Sequence, residues 1–424
     1  FLSLRTSSVI PVRDFGLFAA IGVLTALIFA LVGIPALLAI LPAPQQKTKV
    51  KRSTFYSHLL EWMSNWVVEH TSLVLVIGTA VFILSVVGIN YLTVEANIAR
   101  YFRSSSSVAE GIRIYEDKFG GSAQVLIVVD TNKPKGALEP EFLPLLAELE
   151  DYVKPFPLVS STVSMASMAR DFSPDGKLHG NLVALAFKQL PSAFTGVFLS
   201  RDQQQKAVIY VSVMSAETTK VAETLSKIES GLGDLIPEEM TVTVTGIPKI
   251  FHHHMQRFSE SQIKSLIGSI ITVLVLLVVF HGSLILGCLA LLPLIFTIGA
   301  NFGLMGWMGI PLDAGTVLIG SIVIGIGIDY SIHLISRVIR EQKSGKDLRT
   351  ACQWSITTAG HAIMINAITL IAGFLVLCFS VFSTLAIFGF LMALAMFISS
   401  TASVTVLPAI LQSLDKFRGG SKYV

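Results

Sequence analysis

Ser321, Gly325, Asp329 and His333 recur at every fourth residue inside TVLIGSIVIGIGIDYSIHLIS, a stretch made mostly of Ile, Val, Leu and Gly. Residues four apart share one face of a helix. A carboxylate in such a run costs several kcal/mol to hold in hydrocarbon, so its default reading is functional. The small residues Ser321, Gly325 and Gly327 let a neighbouring helix approach closely. Asp329 would then face protein or water, where it can take up and release a proton. Tyr330 can hydrogen-bond to it through a neighbour or a water, and His333, one turn on, can share the proton. A second polar run, TTAGHAIMINAITLIAG at 357–373, supplies Asn366 and Thr369 as further relay partners, and His361 nearer the membrane surface. Plainer readings stand beside these. Asp329 can be a neutral structural hydrogen-bonder, His333 a headgroup-zone residue, and Asn366 simple glue between helices.

Other chemistries find less support. The triplet His252-His253-His254 points its rings in different directions on a helix, whereas metal ligands need a spacing of three or four. Cys288 and Cys378 lie in apolar runs and Cys352 in a basic loop, which fits neither a disulfide framework nor a zinc pattern. There is no G-x-x-x-x-G-K-[ST], no G-x-S-x-G and no H-E-x-x-H. We therefore expect no enzyme activity, no cofactor and no metal, with an ion gradient as the energy source. No basic cluster interleaved with aromatics suggests a nucleic-acid partner.

The elements that must position the Asp329 stripe are membrane spans. The 424 residues are 52% hydrophobic and only 14% charged, against about 25% charged in a soluble domain. Runs of about 20 apolar residues fall at 16–41, 72–91, 263–281, 284–307, 314–336, 360–379 and 384–411, after a stub ending near Val9. Orientation follows the short basic loops. Lys47, Lys49, Lys51 and Arg52, then Arg337, Arg340, Lys343, Lys346 and Arg349, then Lys416, Arg418 and Lys422 all fall on one side, the cytoplasmic one. Asp14 and Asp313 come at the outer ends of spans, as ordinary solvated charges.

The expected domains are 1–41, the last spans of a first repeat; 42–70, a cytoplasmic linker with an amphipathic helix carrying Trp62 and Trp66 at headgroup level; 71–91, the first span of a second repeat; 92–262, an extracytoplasmic (periplasmic) domain; 263–411, a block of five spans; and 412–424, a cytoplasmic tail. In the outer domain, AQVLIVVD (123–130), KAVIYVSVM (206–214) and MTVTVTG (240–246) read as strands. EPEFLPLLAELEDYV and ETTKVAETLSKIESGL read as helices on one face of the sheet, and 250–262 as a helix continuing into the membrane. The fold class is a membrane all-α bundle of about 7 spans plus a stub, with one α+β, ferredoxin-like outer domain.

Residues 1–38 align with 374–411 at an offset of 373 without a gap. FLSL meets FLVL, Phe15-Gly16 meets Phe388-Gly389, and Pro35-Ala36-Leu37-Leu38 meets Pro408-Ala409-Ile410-Leu411. Such repeats are common in secondary transporters. A first unit, with its own counterpart of Asp329, would then lie upstream of Phe1.

The layout of span, outer α+β domain and five spans, duplicated, resembles the resistance–nodulation–division (RND) exporter superfamily. G-I-G-I-D-Y-S-I-H-L at 325–334 is similar to the G-x-x-x-D-Y motif of its lipid-exporting branch, which includes the hopanoid transporters and the mycobacterial large membrane proteins. T-A-G-H-A-I-M-I-N-A-I-T-L-I-A-G-F at 358–374 and R-D-F-G-L-F-A-A-I-G-V at 13–23 look like the same branch. The five-span block is similar to a sterol-sensing domain. The resemblance implies that Asp329 and Tyr330 are proton-relay residues and Gly325 the motif glycine. It implies that the outer domain is the porter through which a lipid or other hydrophobic substrate passes, in the inner membrane, with protons as the coupled ion. Its partners would be the missing N-terminal half of the same protein and, on assembly, further copies in a homo-oligomer. Two other readings stay open: a lipid- or sterol-sensing scaffold without a transport cycle, and an accessory to protein translocation.

Overall fold

The computed structural model describes residues 1–6, 10–41, 54–95, 97, 101–171, 173, 189, 192–201, 203–313 and 315–418. The basic residues Lys47, Lys49, Lys51, Arg52 and Lys422 and most of the linker expected at 42–70 before its helix lie outside these residues. In chain order the helices and strands are α1 (Ile10–Ile28), α2 (Ile34–Ile40), α3 (Thr54–Glu69), α4 (Thr71–Ile89), α5 (Ser107–Phe119), β1 (Ala123–Asp130), α6 (Phe142–Val153), β2 (Val159–Val163), α7 (Met165–Asp171), α8 (Ser192–Phe198), β3 (Lys206–Val213), α9 (Thr218–Leu235), β4 (Thr241–Gly246), α10 (Ile247–His281), α11 (Leu284–Met308), α12 (Ile319–Lys343), α13 (Leu348–Val376), α14 (Ser383–Val404) and α15 (Val406–Arg418). Two compact units result. One is Phe1–Thr93, Arg257–Ser380 and Thr384–Val424; the other is Val94–Gln256 with Val381–Ser383.

Among the described residues, seven helical segments are long and apolar enough to cross a membrane, matching the seven expected spans. Only helices and closed barrels satisfy the backbone in lipid, so apolar runs of this length fold as they do for want of an alternative. Their ends carry ordinary signals. Ser283 caps α11 by accepting from the Leu286 amide at 3.4 Å, and Gly309 ends it in the left-handed region, at φ 65°. Asp347 caps α13 through the Thr350 amide at 3.3 Å. That helix starts earlier than the expected span at 360, so Cys352 is a buried core residue of α13 and not part of a basic loop. Helix α3 packs one face on the protein. Its Leu60, Ser64 and Val67 are buried, and Ser64 donates to the Gln353 carbonyl of α13 at 3.4 Å. Trp62 stays exposed, stacked on Trp66 at 6.3 Å.

Helices α4 and α11 meet backbone to backbone. A Cβ placed on Gly303 would collide with Ser85, and one on Gly88 with the Gly303 carbonyl, so glycine is required at this crossing.

The proposed repeat has a structural counterpart at the same offset. A Cβ on Gly16 would lie 2.6 Å from Leu4 Cβ and 2.8 Å from the Phe1 carbonyl; one on Gly389 would lie 2.6 Å from Leu377 Cβ and 2.6 Å from the Phe374 carbonyl. Each pair of partners differs by the 373 residues of the alignment. The Leu4 amide bonds the Phe1 carbonyl, and the Leu377 amide bonds that of Phe374. Both helices also break just ahead of their proline, at the π-turn Phe29–Gly33 before Pro35 and at Thr405 before Pro408. A proline cannot bond back to the carbonyl four residues earlier, which explains both breaks.

The second unit, which the sequence reading expects to be the outer one, is a β-α-β-β-α-β arrangement with strand order β2-β3-β1-β4, all neighbours antiparallel. This is the ferredoxin-like order. Alternation puts Val125, Ile127 and Val129 of β1 on one face with Ile209, Val211 and Val244, buried against Leu146 and Leu149 of α6 and Ile228 and Leu232 of α9. The short edge strand β2 is pinned from α6. Buried Glu150 accepts from Thr162 Oγ1 at 2.8 Å and from Ser164 Oγ.

Candidate functional site

Helix α12 is built with one sealed side and one open stripe. On the sealed side Tyr330, Ser331, Leu334, Ile335 and Val338 are buried. Gly327 lies against α14: its carbonyl accepts from Ser399 Oγ at 3.2 Å, and a Cβ there would lie 2.9 Å from that oxygen. Ser331 and Ser403 hydroxyls pair at 3.3 Å one turn on. Near the helix start Gly320 accommodates Leu266 of α10, 2.9 Å from where its Cβ would be.

The open stripe is the one the four-residue spacing picks out. Ser321 is buried, but Gly325, Asp329 and His333 are exposed. The ring of Phe1 approaches Gly325, 3.2 Å from the position of an added Cβ. Asp329 forms no hydrogen bond to any described residue, and neither does His333. Tyr330, the next residue in the chain, leaves the helix about 100° away. It is 1% exposed, and its hydroxyl points to Met396 Sδ at 3.9 Å. The two residues of the Asp-Tyr motif are thus held on different sides of α12. Asn366 is exposed on α13 without a hydrogen bond among the described residues, and Thr369 Oγ1 returns to the Ile365 carbonyl of its own helix at 2.9 Å. The structure brings Asp329 and His333 onto one face and does not join Tyr330, Asn366 or Thr369 to them.

The start of α12 holds an arrangement that the sequence reading passed over. Asp313 is not a solvated charge; it is 5% exposed. Its Oδ1 accepts from the Gly315 amide at 2.9 Å, the Thr316 amide at 2.8 Å and Thr316 Oγ1 at 3.1 Å, and its Oδ2 from Thr384 Oγ1 at 3.0 Å. A buried carboxylate is tolerated when such donors satisfy it. The available signal was Asp followed three residues later by Thr at the head of an apolar helix. Likewise Ser399 and Ser403, four apart, matched Gly327 and Ser331 in spacing. Among the described residues no group of three His, Cys, Asp or Glu could hold a metal ion.

Comparison with known proteins fits this geometry. The MMPL family model matches residues 159–420. The chain belongs to the MMPL family. Among its relatives, the putative membrane protein MJ1562 of Methanocaldococcus jannaschii is 26% identical over 310 residues, covering 70% of this chain and 79% of that protein. The apo-petrobactin exporter of Bacillus anthracis is 31% identical over 159 residues, 36% of this chain and 21% of that protein. The trehalose monomycolate exporter MmpL3 of Mycobacterium tuberculosis is 24% identical over 194 residues, 42% of this chain and 20% of that protein. The match thus spans about a fifth of either exporter. As an MMPL chain of the RND superfamily with seven apolar helices among its described residues, it is a multi-pass membrane protein of transporter kind.

Proposed function

We propose that this MMPL chain is a unit of a proton-driven exporter of lipids or other hydrophobic molecules, with Asp329 as the residue that takes and gives the proton. One observation carries the reading: an ionisable side chain on an apolar span, on the only stripe of α12 where three successive helical turns (325, 329, 333) are all left uncovered by the described residues. Its other side is fixed by close packing on α14. Taking up a proton removes the cost of the charge in hydrocarbon, so protonation changes which surroundings that stripe prefers. His333 is the residue placed to share the proton. Tyr330 serves by holding α12 in register against Met396. A shift of α12 reaches α10 through Gly320 and Leu266, and α10 is continuous from the end of β4. The outer unit is proposed to be periplasmic and to handle the substrate, with the membrane unit in the inner membrane.

The test is Asp329→Asn in the full-length protein, assayed in inverted vesicles for export of a labelled hydrophobic substrate under an imposed pH gradient. Asn keeps the size of Asp and loses the proton site. Export is expected to fall about a hundredfold or more, the order set by losing a positioned proton-transfer group. Undiminished, gradient-dependent export by the variant would remove Asp329 from the mechanism.

A further inference from the structure

In the outer unit a cavity of about 460 Å³ opens between α9 and the first turns of α10, floored by the start of β1 and by the residues after β3. That volume lies within the range of small-molecule sites, about 300–1,000 Å³. Helix α9 lines it with positions 218, 221, 222, 225, 226 and 229, one face of the helix. Its lining is mixed in chemistry. Ile112, Val221 and Leu225 give it apolar surface, and Glu229, Lys249 and His252 give it polar groups. Lys249 Nζ already bonds both oxygens of Glu229, at 2.7 and 2.6 Å. The pair therefore offers no net charge to a ligand. His252 Nδ1 is buried and has no hydrogen-bond partner among the described residues. A buried polar atom of this kind in a native fold calls for a partner.

We propose that this cavity binds a single-chain amphiphile with a neutral, hydroxyl-bearing headgroup. The chain lies on Ile112, Val221 and Leu225, and a headgroup hydroxyl bonds His252 Nδ1. A hydroxyl both donates and accepts, so it satisfies that nitrogen in either tautomer. The Lys249–Glu229 pair leaves an anionic headgroup no uncompensated lysine, and a pure hydrocarbon leaves Nδ1 unpaired. As the site of a transported substrate, the cavity rests on the export reading above.

The experiment uses the full-length protein in detergent, with no pH gradient, and a photo-crosslinking analogue of monooleoylglycerol mapped by mass spectrometry. Labelling is expected within 218–229 and 247–256, competed by monooleoylglycerol and about tenfold less well by oleate or octadecene, the order of one hydrogen bond. His252→Ala should weaken monooleoylglycerol by about tenfold and leave octadecene unchanged. Ala222→Trp, which fills the cavity, should abolish labelling. Labelling elsewhere, equal competition by oleate, or an unaffected His252→Ala protein would overturn the proposal. The two readings fail separately. Asp329-dependent export without labelling of the cavity defeats only the amphiphile site, and labelling with export indifferent to the gradient defeats only the proton coupling.

Discussion

Ser399 donates its hydroxyl hydrogen bond to the backbone carbonyl of Gly327 across 3.2 Å, so α14 lies against α12 with no side chain between them on the α12 side. Two effects are combined there, and their sizes separate them. Interhelical hydrogen bonds in membranes average about 0.6 kcal/mol, whereas overpacking a filled contact costs about 1–3 kcal/mol. Ser399→Ala should therefore shift the melting transition in detergent only slightly, and Gly327→Val should lower it clearly. Equal effects would mean that the hydrogen bond, and not the close approach, holds the pair.

Tyr330 invites a sharper distinction. Its ring is buried but its hydroxyl reaches only a sulfur at 3.9 Å. Tyr330→Phe should cost less than about 1 kcal/mol and leave export intact. Tyr330→Ala should cost about 3–5 kcal/mol, as for other large aromatic truncations. Export lost in Tyr330→Phe with an unchanged melting point would show that the hydroxyl is itself in the proton path.

The Asp313 cap predicts a coupled pair. Asp313→Ala leaves the Gly315 and Thr316 donors without their acceptor and should destabilise by about 1–3 kcal/mol. Thr384→Val removes one bond and should cost about 1 kcal/mol. In a double-mutant cycle the two changes should be less than additive. Strict additivity would deny that the carboxylate ties the starts of α12 and α14 together.

In the outer unit, Asp151 accepts two hydrogen bonds from Arg170, at 3.1 and 2.9 Å, and one from Lys154 at 2.8 Å. The Arg170 bonds first, then Lys154, hold its carboxyl down at about 2, below the ordinary 3.8. A depressed folded-state value stabilises at pH above the ordinary one and is lost as pH falls through the folded one. The window is therefore about pH 4 to about pH 2. The carboxylate is 48% exposed, so solvent screening keeps the contribution below about 1 kcal/mol. Arg170→Gln should lower the melting point at neutral pH by a small amount that vanishes near pH 2. A difference that persists at that pH would place the role of Arg170 elsewhere.

Much of this was readable before the structure because the residues concerned had few alternatives. The spans followed from apolar length. β1, β3 and β4 followed from alternating Val and Ile. β2, VSSTV, escaped notice because its Ser and Thr suit an edge strand paired only to β3, with a register shift at Val159/Ser161. The Asp329 stripe was legible from spacing alone. The destination of Tyr330 was not, since the side of α12 that is sealed depends on where α14 packs. Asp313 was misread because a short polar turn, PLDAGT, looks solvated until the Thr384 hydroxyl arrives from 71 residues away.

The elbow at Gly389 bears on how the membrane unit can move. With the Phe374 carbonyl and Leu377 Cβ seated directly under that glycine, the bend between α13 and α14 is closed as far as backbone contact allows. Any side chain at 389 would force the last turn of α13 away from the start of α14. The same close contact recurs where Gly16 meets Leu4 and the Phe1 carbonyl, and the Phe1 ring lies beside Gly325. A second glycine contact of the same kind therefore sits beside the Asp329 stripe.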